Sequence, residues 1–372
     1  MFLLLYLAVA IIWLAMSHGA VDPRGKPLGA DFISFWSASS LALQGKPEAT
    51  RDTARHYRKE QLAVGNNDIP YYHWLYPPTF LALVLPLALL PYLWSLFMWL
   101  GLTLVAYASV MWRIAPRIDA LWLALAFPAV FINLGHGQNG LLSTALLGGA
   151  MLLLDRRPLL AGMLIGLMTF KPQLGLLLPL ALIAGGYWQT FISAAITSVF
   201  FTLVTLVLFG VDIWSGFFAG IPMTNQIMEQ GLIGWEKMQS TFAAVRLLGG
   251  DVTTAYATQA VVSLLAAGAV IRAWRSPASL NIKAAVLVAG GLLATPYVLD
   301  YDLVLLALPI TWLTLDGLRT GFLDGEKFVL LITWLLPLVS RLVAAVVPLP
   351  LAPLIIAVLL LLGLRRIHVR PA

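Results

Sequence analysis

Apolar runs of about 14–21 residues recur from one end of this chain to the other, separated by short polar clusters. That length is near the ~20 residues a helix needs to cross the hydrocarbon of a bilayer. The pattern predicts spans at 2–17, 92–112, 118–133, 140–154, 158–170, 173–187, 190–209, 252–272, 284–299, 302–318, 328–345 and 350–364, twelve in all. The segment 79–90, FLALVLPLALLP, is shorter. Twelve helical residues rise only about 18 Å, so it reads as a half-crossing or a membrane-surface helix. The first run lacks a positively charged leader and reads as a retained span rather than a cleaved signal. Two polar stretches, 18–77 and 210–251, interrupt the apolar pattern, and neither has the apolar content for an independent core. The expected fold is therefore all-α: one polytopic membrane domain over 1–372, with two long loops carrying membrane-surface helices.

Composition agrees. Of 372 residues, 60% are hydrophobic and 11% charged, where a soluble domain carries roughly 25% charged residues. Cysteine is absent, which excludes disulfides and thiolate metal sites. The isoelectric point near 9.6 suggests nucleic acid only if the basic residues share a soluble face, and the charge sorts otherwise. With the N-terminus inside, the cytoplasmic loops hold twelve of the 23 basic residues and five of the 17 acidic ones, giving +7 inside and −1 outside. This is the positive-inside bias of a multi-pass protein. It accounts for the isoelectric point with lipids as the surrounding partner and no nucleic acid. Making 79–90 a full span would invert every later loop and destroy the bias.

The same topology sends the polar motifs to the outer ends. GADFISFW (29–36), YYHWLYPP (71–78), GHGQNG (135–140), KPQ (171–173), the 210–251 loop and TPYVLDYD (295–302) all fall there. Polar groups at membrane depth are costly and usually face a cavity or a partner, so their convergence predicts one outer site. Asp31 has two readings. It is either the N-cap of an interfacial helix whose Phe32, Phe35, Trp36 and Leu43 dip into lipid, or a general base at headgroup depth. His73 and Tyr76 line the site or anchor the interface. His136, Gln138 and Asn139 sit in a glycine turn that lets backbone approach a ligand. Lys171, between two apolar runs, either snorkels or holds a phosphate, with Gln173 beside it. Tyr297, Asp300, Tyr301 and Asp302 open a later span, where the acids suit a helix dipole or a divalent metal. Glu229, Glu236, Lys237, Arg246 and Arg341 complete the outer inventory.

The order of these motifs resembles glycosyltransferase family 87. The run G-A-D-F-x-x-F-W-x-A-x-x-L-A-L-Q-G-K-P is followed by Y-P-P, G-Q-N-G, K-P-Q and T-P-Y…D-Y-D, from about residue 28 to about 310. The resemblance implies a GT-C-type enzyme similar to polyprenol-phosphate-mannose-dependent mannosyltransferases, with Asp31 as the catalytic base and an inverting reaction. It implies a polyprenyl-phosphate sugar as donor and a lipid-linked or cell-envelope glycan as acceptor, at the outer face of a bacterial cytoplasmic membrane. Lys171, Arg341 and Arg246 would contact the donor phosphate, and Trp36, His73, Tyr76 and the polar residues above would line the substrate site. Because phosphate leaves as a stable anion, no general acid and no cofactor is required, and a divalent metal is optional. Actinobacterial relatives tend to carry histidine where this chain has Asp300-Tyr301-Asp302, so a histidine contact to donor phosphate does not carry over. A transporter or lipid flippase is the rival class. It would favour internal repeats and midplane polar groups, and the chain has neither pattern.

Overall fold

Prolines and glycines decide where each apolar run breaks. The computed structural model describes residues 2–368, and among them the fold is all helical, with only isolated bridges such as Met238 to Leu299 in place of strands. Arg370, counted above with the cytoplasmic charges, lies outside the described residues. Five helices are long and apolar enough to cross a bilayer: Tyr92–Ile114, Trp188–Phe209, Val252–Arg275, Asp300–Thr320 and Glu326–Val346. A sixth is reached if Ile118–Leu125 and Pro128–His136, bent by 49°, count as one broken span. Pro128 opens the second of these helices, where its missing N–H is tolerated. The remaining runs form shorter helices, such as Gly140–Leu153, Pro158–Leu167, Leu178–Ala184 and Leu280–Ala294. Fourteen residues rise only about 21 Å against a roughly 30 Å core, so length alone does not give twelve full crossings. The 79–90 segment is a seven-residue helix, Pro78–Val84, followed by a 3-10 turn, Leu85–Leu89.

The apolar surface is distributed inside-out. Ile196, Val207, Leu264 and Leu265 on the long helices are exposed, a pattern that suits lipid and would be a liability in water. Helix Leu280–Ala294 is buried continuously from Ala284 to Ala294. It packs between Val252–Arg275, Ala307–Thr320 and Leu351–Arg366.

Two expectations are corrected. Helix Phe32–Leu43 does not lay Phe32 and Phe35 into lipid, because both rings are buried in the protein. Phe35 meets Trp74, Tyr76, Phe80 and Trp99 edge-on, and Phe80 stacks on Phe170. Small residues at Ser37, Ala38, Ser39 and Ser40 let neighbouring segments close on the other side, where Ser39 Oγ donates to Val84 O. Leu43 alone of the four stays exposed. The second correction concerns charge. Arg366, Asp316 and Glu326, counted as solvated loop charges, form one buried cluster. Arg366 Nη1 donates to Asp316 Oδ2 at 2.6 Å, and Nε and Nη2 both donate to Glu326. Removing one base and two acids from the loops raises the net inward charge from +7 to +8, so the bias survives.

That cluster joins the C-terminal helix to the two helices before it. Arg366→Met should strand two buried carboxylates and cost about 3–5 kcal/mol of stability, read as a fall in the thermal midpoint in detergent. Arg366→Lys should recover only part, lacking the planar fork. A wild-type midpoint for Arg366→Met would mean the cluster contributes nothing.

Candidate active site

A strained turn presents Asp31. Gly29 has φ +74° and Ala30 φ +30°, and a side-chain-bearing residue at positive φ is uncommon and costs of order 1–3 kcal/mol. The turn delivers Asp31 to the start of helix Phe32–Leu43, yet its carboxylate makes no capping hydrogen bond. The side chain points instead at three partners. Gln138 Nε2 donates to Asp31 Oδ2 at 2.9 Å, His136 Nδ1 lies 3.7 Å from the same oxygen, and Lys237 Nζ lies 4.0 Å away. Burial pushes the Asp31 carboxyl up, but Lys237, His136 and Gln138 outweigh it and hold it well below the usual carboxylate range.

The glycine turn explains how His136 and Gln138 reach the first loop. Helix Pro128–His136 ends at Gly137 in the left-handed region, φ +65°. A Cβ there would come within 2.5 Å of Phe32 Cβ and 2.7 Å of Gly29 O. At Gly140 a Cβ would come within 2.8 Å of Tyr301 O. The two glycines therefore let the 29–32 turn and the 301–304 segment press against one reversal. Gln138 is fixed in turn: Tyr76 Oη and the Asn139 N–H both donate to its Oε1 at 3.0 and 3.2 Å.

Lys171 sits at a helix break, between 3-10 turns Met168–Phe170 and Pro172–Gly175. It does not snorkel. The side chain is buried, and its ammonium donates to Asp302 Oδ1 at 2.5 Å and Asn139 Oδ1 at 3.0 Å. The other Asp302 oxygen accepts from Leu299 N. Asp300 is also buried, receiving Arg341 Nη1 at 3.1 Å and the Tyr301 N–H. Each aspartate of the D-Y-D run thus serves its own cation, and no group of three or more His, Asp or Glu side chains fit for a metal occurs among the described residues. The Tyr301 ring lies against His136 and beneath both Lys171 and Lys237.

Some expected residues are elsewhere. Trp36 donates its indole N–H to Leu90 O and packs on Tyr92, anchoring its helix. His73 meets Tyr71 edge-on, and Gln173 makes no side-chain hydrogen bond among the described residues. Arg246 is committed to the Gly250 and Glu229 carbonyls and lies over Trp235, so it is not brought to Asp31. Tyr297 is half-buried in the electrostatic field of Asp302 and Asp31.

Two participants are given no role in the site by the sequence, although Lys237 falls on the outer side. Lys237 arrives because its loop pairs with the 298–300 segment: Gln239 N donates to Val298 O, and Asp300 N to Lys237 O. The second is His56 with Glu60, in helix Thr53–Val64, whose sequence reads as a polar surface helix. One face of it is fully buried. His56 Nε2 bonds Ser34 O, three residues along from Asp31, while Glu60 Oε2 accepts from Tyr72 N. Burial lowers the His56 imidazole to about 4 and raises the Glu60 carboxyl to about 9, leaving both neutral 3.6 Å apart.

The sequence matches the family model for glycosyltransferase family 87 over residues 74–296, which is 223 of 372 residues. An all-helical protein with several membrane-length apolar helices and a carboxylate-centred polar site is here a glycosyltransferase. The chain belongs to glycosyltransferase family 87. No curated protein and no solved structure matches it. Asp31 lies before the matched segment, and its Gln138 hydrogen bond ties it to that segment.

Two outcomes follow from the buried groups. Between pH 6.5 and about 9 the folded chain keeps the Glu60 proton that the unfolded chain has lost, so stability falls as pH rises, by at most about 1.4 kcal/mol per unit. From about 4 to 6.5 His56 acts oppositely, the unfolded state binding the extra proton, so from 4.5 to 6.5 the two offset. Glu60→Gln should flatten the alkaline limb of a stability profile, and an unchanged slope would refute the assignment. Lys171→Met should cost about 3–5 kcal/mol by stranding Asp302, with much of it recovered when Asp302→Asn is added. A wild-type midpoint for Lys171→Met would show the pair to be energetically idle.

Proposed function

We propose that this chain transfers a hexose, mannose on the family resemblance, from a polyprenyl-phosphate sugar to a lipid-linked or cell-envelope glycan. The reaction takes place at the outer face of a bacterial cytoplasmic membrane, within a GT-C-type architecture. Asp31 accepts the proton of the acceptor hydroxyl as that oxygen attacks C1 of the sugar from the face opposite the phosphate. The new C1–O bond forms, the C1–O bond to phosphate breaks, and the electron pair leaves on the phosphate oxygen, inverting the anomeric carbon. Cations nearby stabilise the charge that develops. Arg341, half-exposed while bound to Asp300, has free guanidinium edge for a phosphate. Lys171 contributes by fixing Asp302 and Asn139 under the site. Membrane spans bring both lipid-linked substrates to one depth, which makes a hydrophilic donor unnecessary.

The observation that carries this reading is the state of Asp31. It is a part-exposed carboxylate, free of capping duty, oriented by Gln138 and set beside two further polar groups on a strained turn. Asn caps helices about as well as Asp and keeps the shape, but accepts no proton at neutral pH. Asp31→Asn should stay folded, bind donor and lose about 10²–10⁴-fold of transfer rate, assayed in membranes with radiolabelled polyprenyl-phosphate mannose. An active Asp31→Asn enzyme would take the base away from this residue.

A further inference from the structure

Lys237 stands apart from the other cations of the site. Lys171 is buried and bonded to Asp302 and Asn139, and Arg341 is bonded to Asp300. The Lys237 ammonium makes no hydrogen bond among the described residues. Its nearest anionic atom is Asp31 Oδ2, at 4.0 Å, and the Tyr301 ring lies 5.7 Å away. The backbone beneath it is fixed by the Met238–Leu299 bridge and the Asp300 N–H bond to Lys237 O. A cation with a pinned backbone, a flexible stem and three uncommitted donors is suited to exchange one anion for another.

We propose that Lys237 holds Asp31 in a resting ion pair and passes to the donor phosphate when the lipid-linked sugar binds. The transfer changes two charges at once. Asp31 loses its cation and becomes a stronger base, while the phosphate gains the cation that its departure requires. In the reaction the acceptor hydroxyl proton goes to Asp31, the acceptor oxygen bonds to C1, and the electron pair of the broken C1–O bond rests on the phosphate beside Lys237. This inference rests on Asp31 being the base.

The groups facing Asp31 are Lys237 from the second loop, His136 and Gln138 from the glycine turn, and Tyr72 and Tyr76 from the first loop. Tyr92 from the following helix and Tyr297 and Tyr301 from the 295–302 segment complete the set. Of these, Lys237 is the mobile charge, and the pH profile isolates it. The kcat/KM profile reports the free enzyme and the kcat profile the donor complex. In the wild type the acidic limb of kcat should lie at higher pH than that of kcat/KM, because the cation has moved.

The test uses the full chain reconstituted in lipid, with polyprenyl-phosphate mannose as donor. Lys237→Gln should bring the two limbs together, raise the donor KM and lower kcat, by roughly 10²-fold or more in kcat/KM. Lys237→Arg should restore donor affinity and the separation of the limbs. Wild-type kinetics in Lys237→Gln, limbs that stay apart without the charge, or an Arg variant as poor as Gln would overturn the proposal. Asp31→Asn measured alongside separates the failures. If it is inactive while Lys237→Gln is normal, only the role of Lys237 falls. If it is active, the base assignment falls and this inference with it.

Discussion

The ion pair of Lys171 and Asp302 is the constraint on which the site is built. Both side chains are buried, so each would be expensive to keep ionised alone, and the pair with Asn139 is what makes them tolerable together. Its three members come from a helix break, a glycine turn and the start of a late helix, so one polar contact fixes three segments that share no local sequence. A buried pair contributes little net stability over an apolar substitute, but it fixes register. Here the register decides whether Gln138, next to Asn139, can reach Asp31.

Around that clamp the packing is aromatic and close. Phe35 and Phe80 fill the space beneath the first loop, and the glycines at 137 and 140 remove the atoms that would hold the loop and the late helix apart. The strain at Ala30 is then supported by its surroundings, because Phe32, two residues on, is locked in the core. His56 holds the same helix through Ser34 O, and Glu60 ties down the Tyr72 N–H of the segment that follows its own helix. Asp31 is therefore gripped by its backbone while only its Oδ2 is held, by Gln138.

Much of the architecture was legible in the hydropathy pattern, because membrane length and proline breaks are local properties of sequence. The membrane character, the shortness of the 79–90 helix and the meeting of the glycine turn, Lys171 and the D-Y-D run could all be read from positions along the chain. What could not be read was pairing at a distance. Asp31 and Gln138 are 107 residues apart and Lys171 and Asp302 are 131 apart, so nothing local says that Lys171 is already occupied. Phe32 and Phe35 look alike whether they face lipid or a protein core, since both environments are apolar. Arg366, Asp316 and Glu326 look like solvated charges for the converse reason, each sitting at the end of an apolar run where loops are expected. Lys237 lies in a loop without periodicity, and only the backbone pairing with residues 298–300 reveals where it goes.

On the proposed reading Asp31 is a base that must be ionised before the reaction and basic during it, and these are two opposing requirements. The cations and amide around Asp31 secure the first, holding the carboxyl low enough to be charged at any physiological pH. They oppose the second, since a carboxylate stabilised by its neighbours has less affinity for the acceptor proton. A rigid site would be left with that compromise. Gln138 is rigid, fixed by Tyr76 and the Asn139 N–H, and so is Lys171. The one long, flexible charge beside Asp31 belongs to Lys237, at a separation too great for a hydrogen bond. The site therefore keeps its geometry in fixed groups and its adjustable electrostatics in a single side chain. On the proposed reading, in which the donor carries its own negative charge, the substrate itself sets the basicity of the carboxylate that takes the acceptor proton.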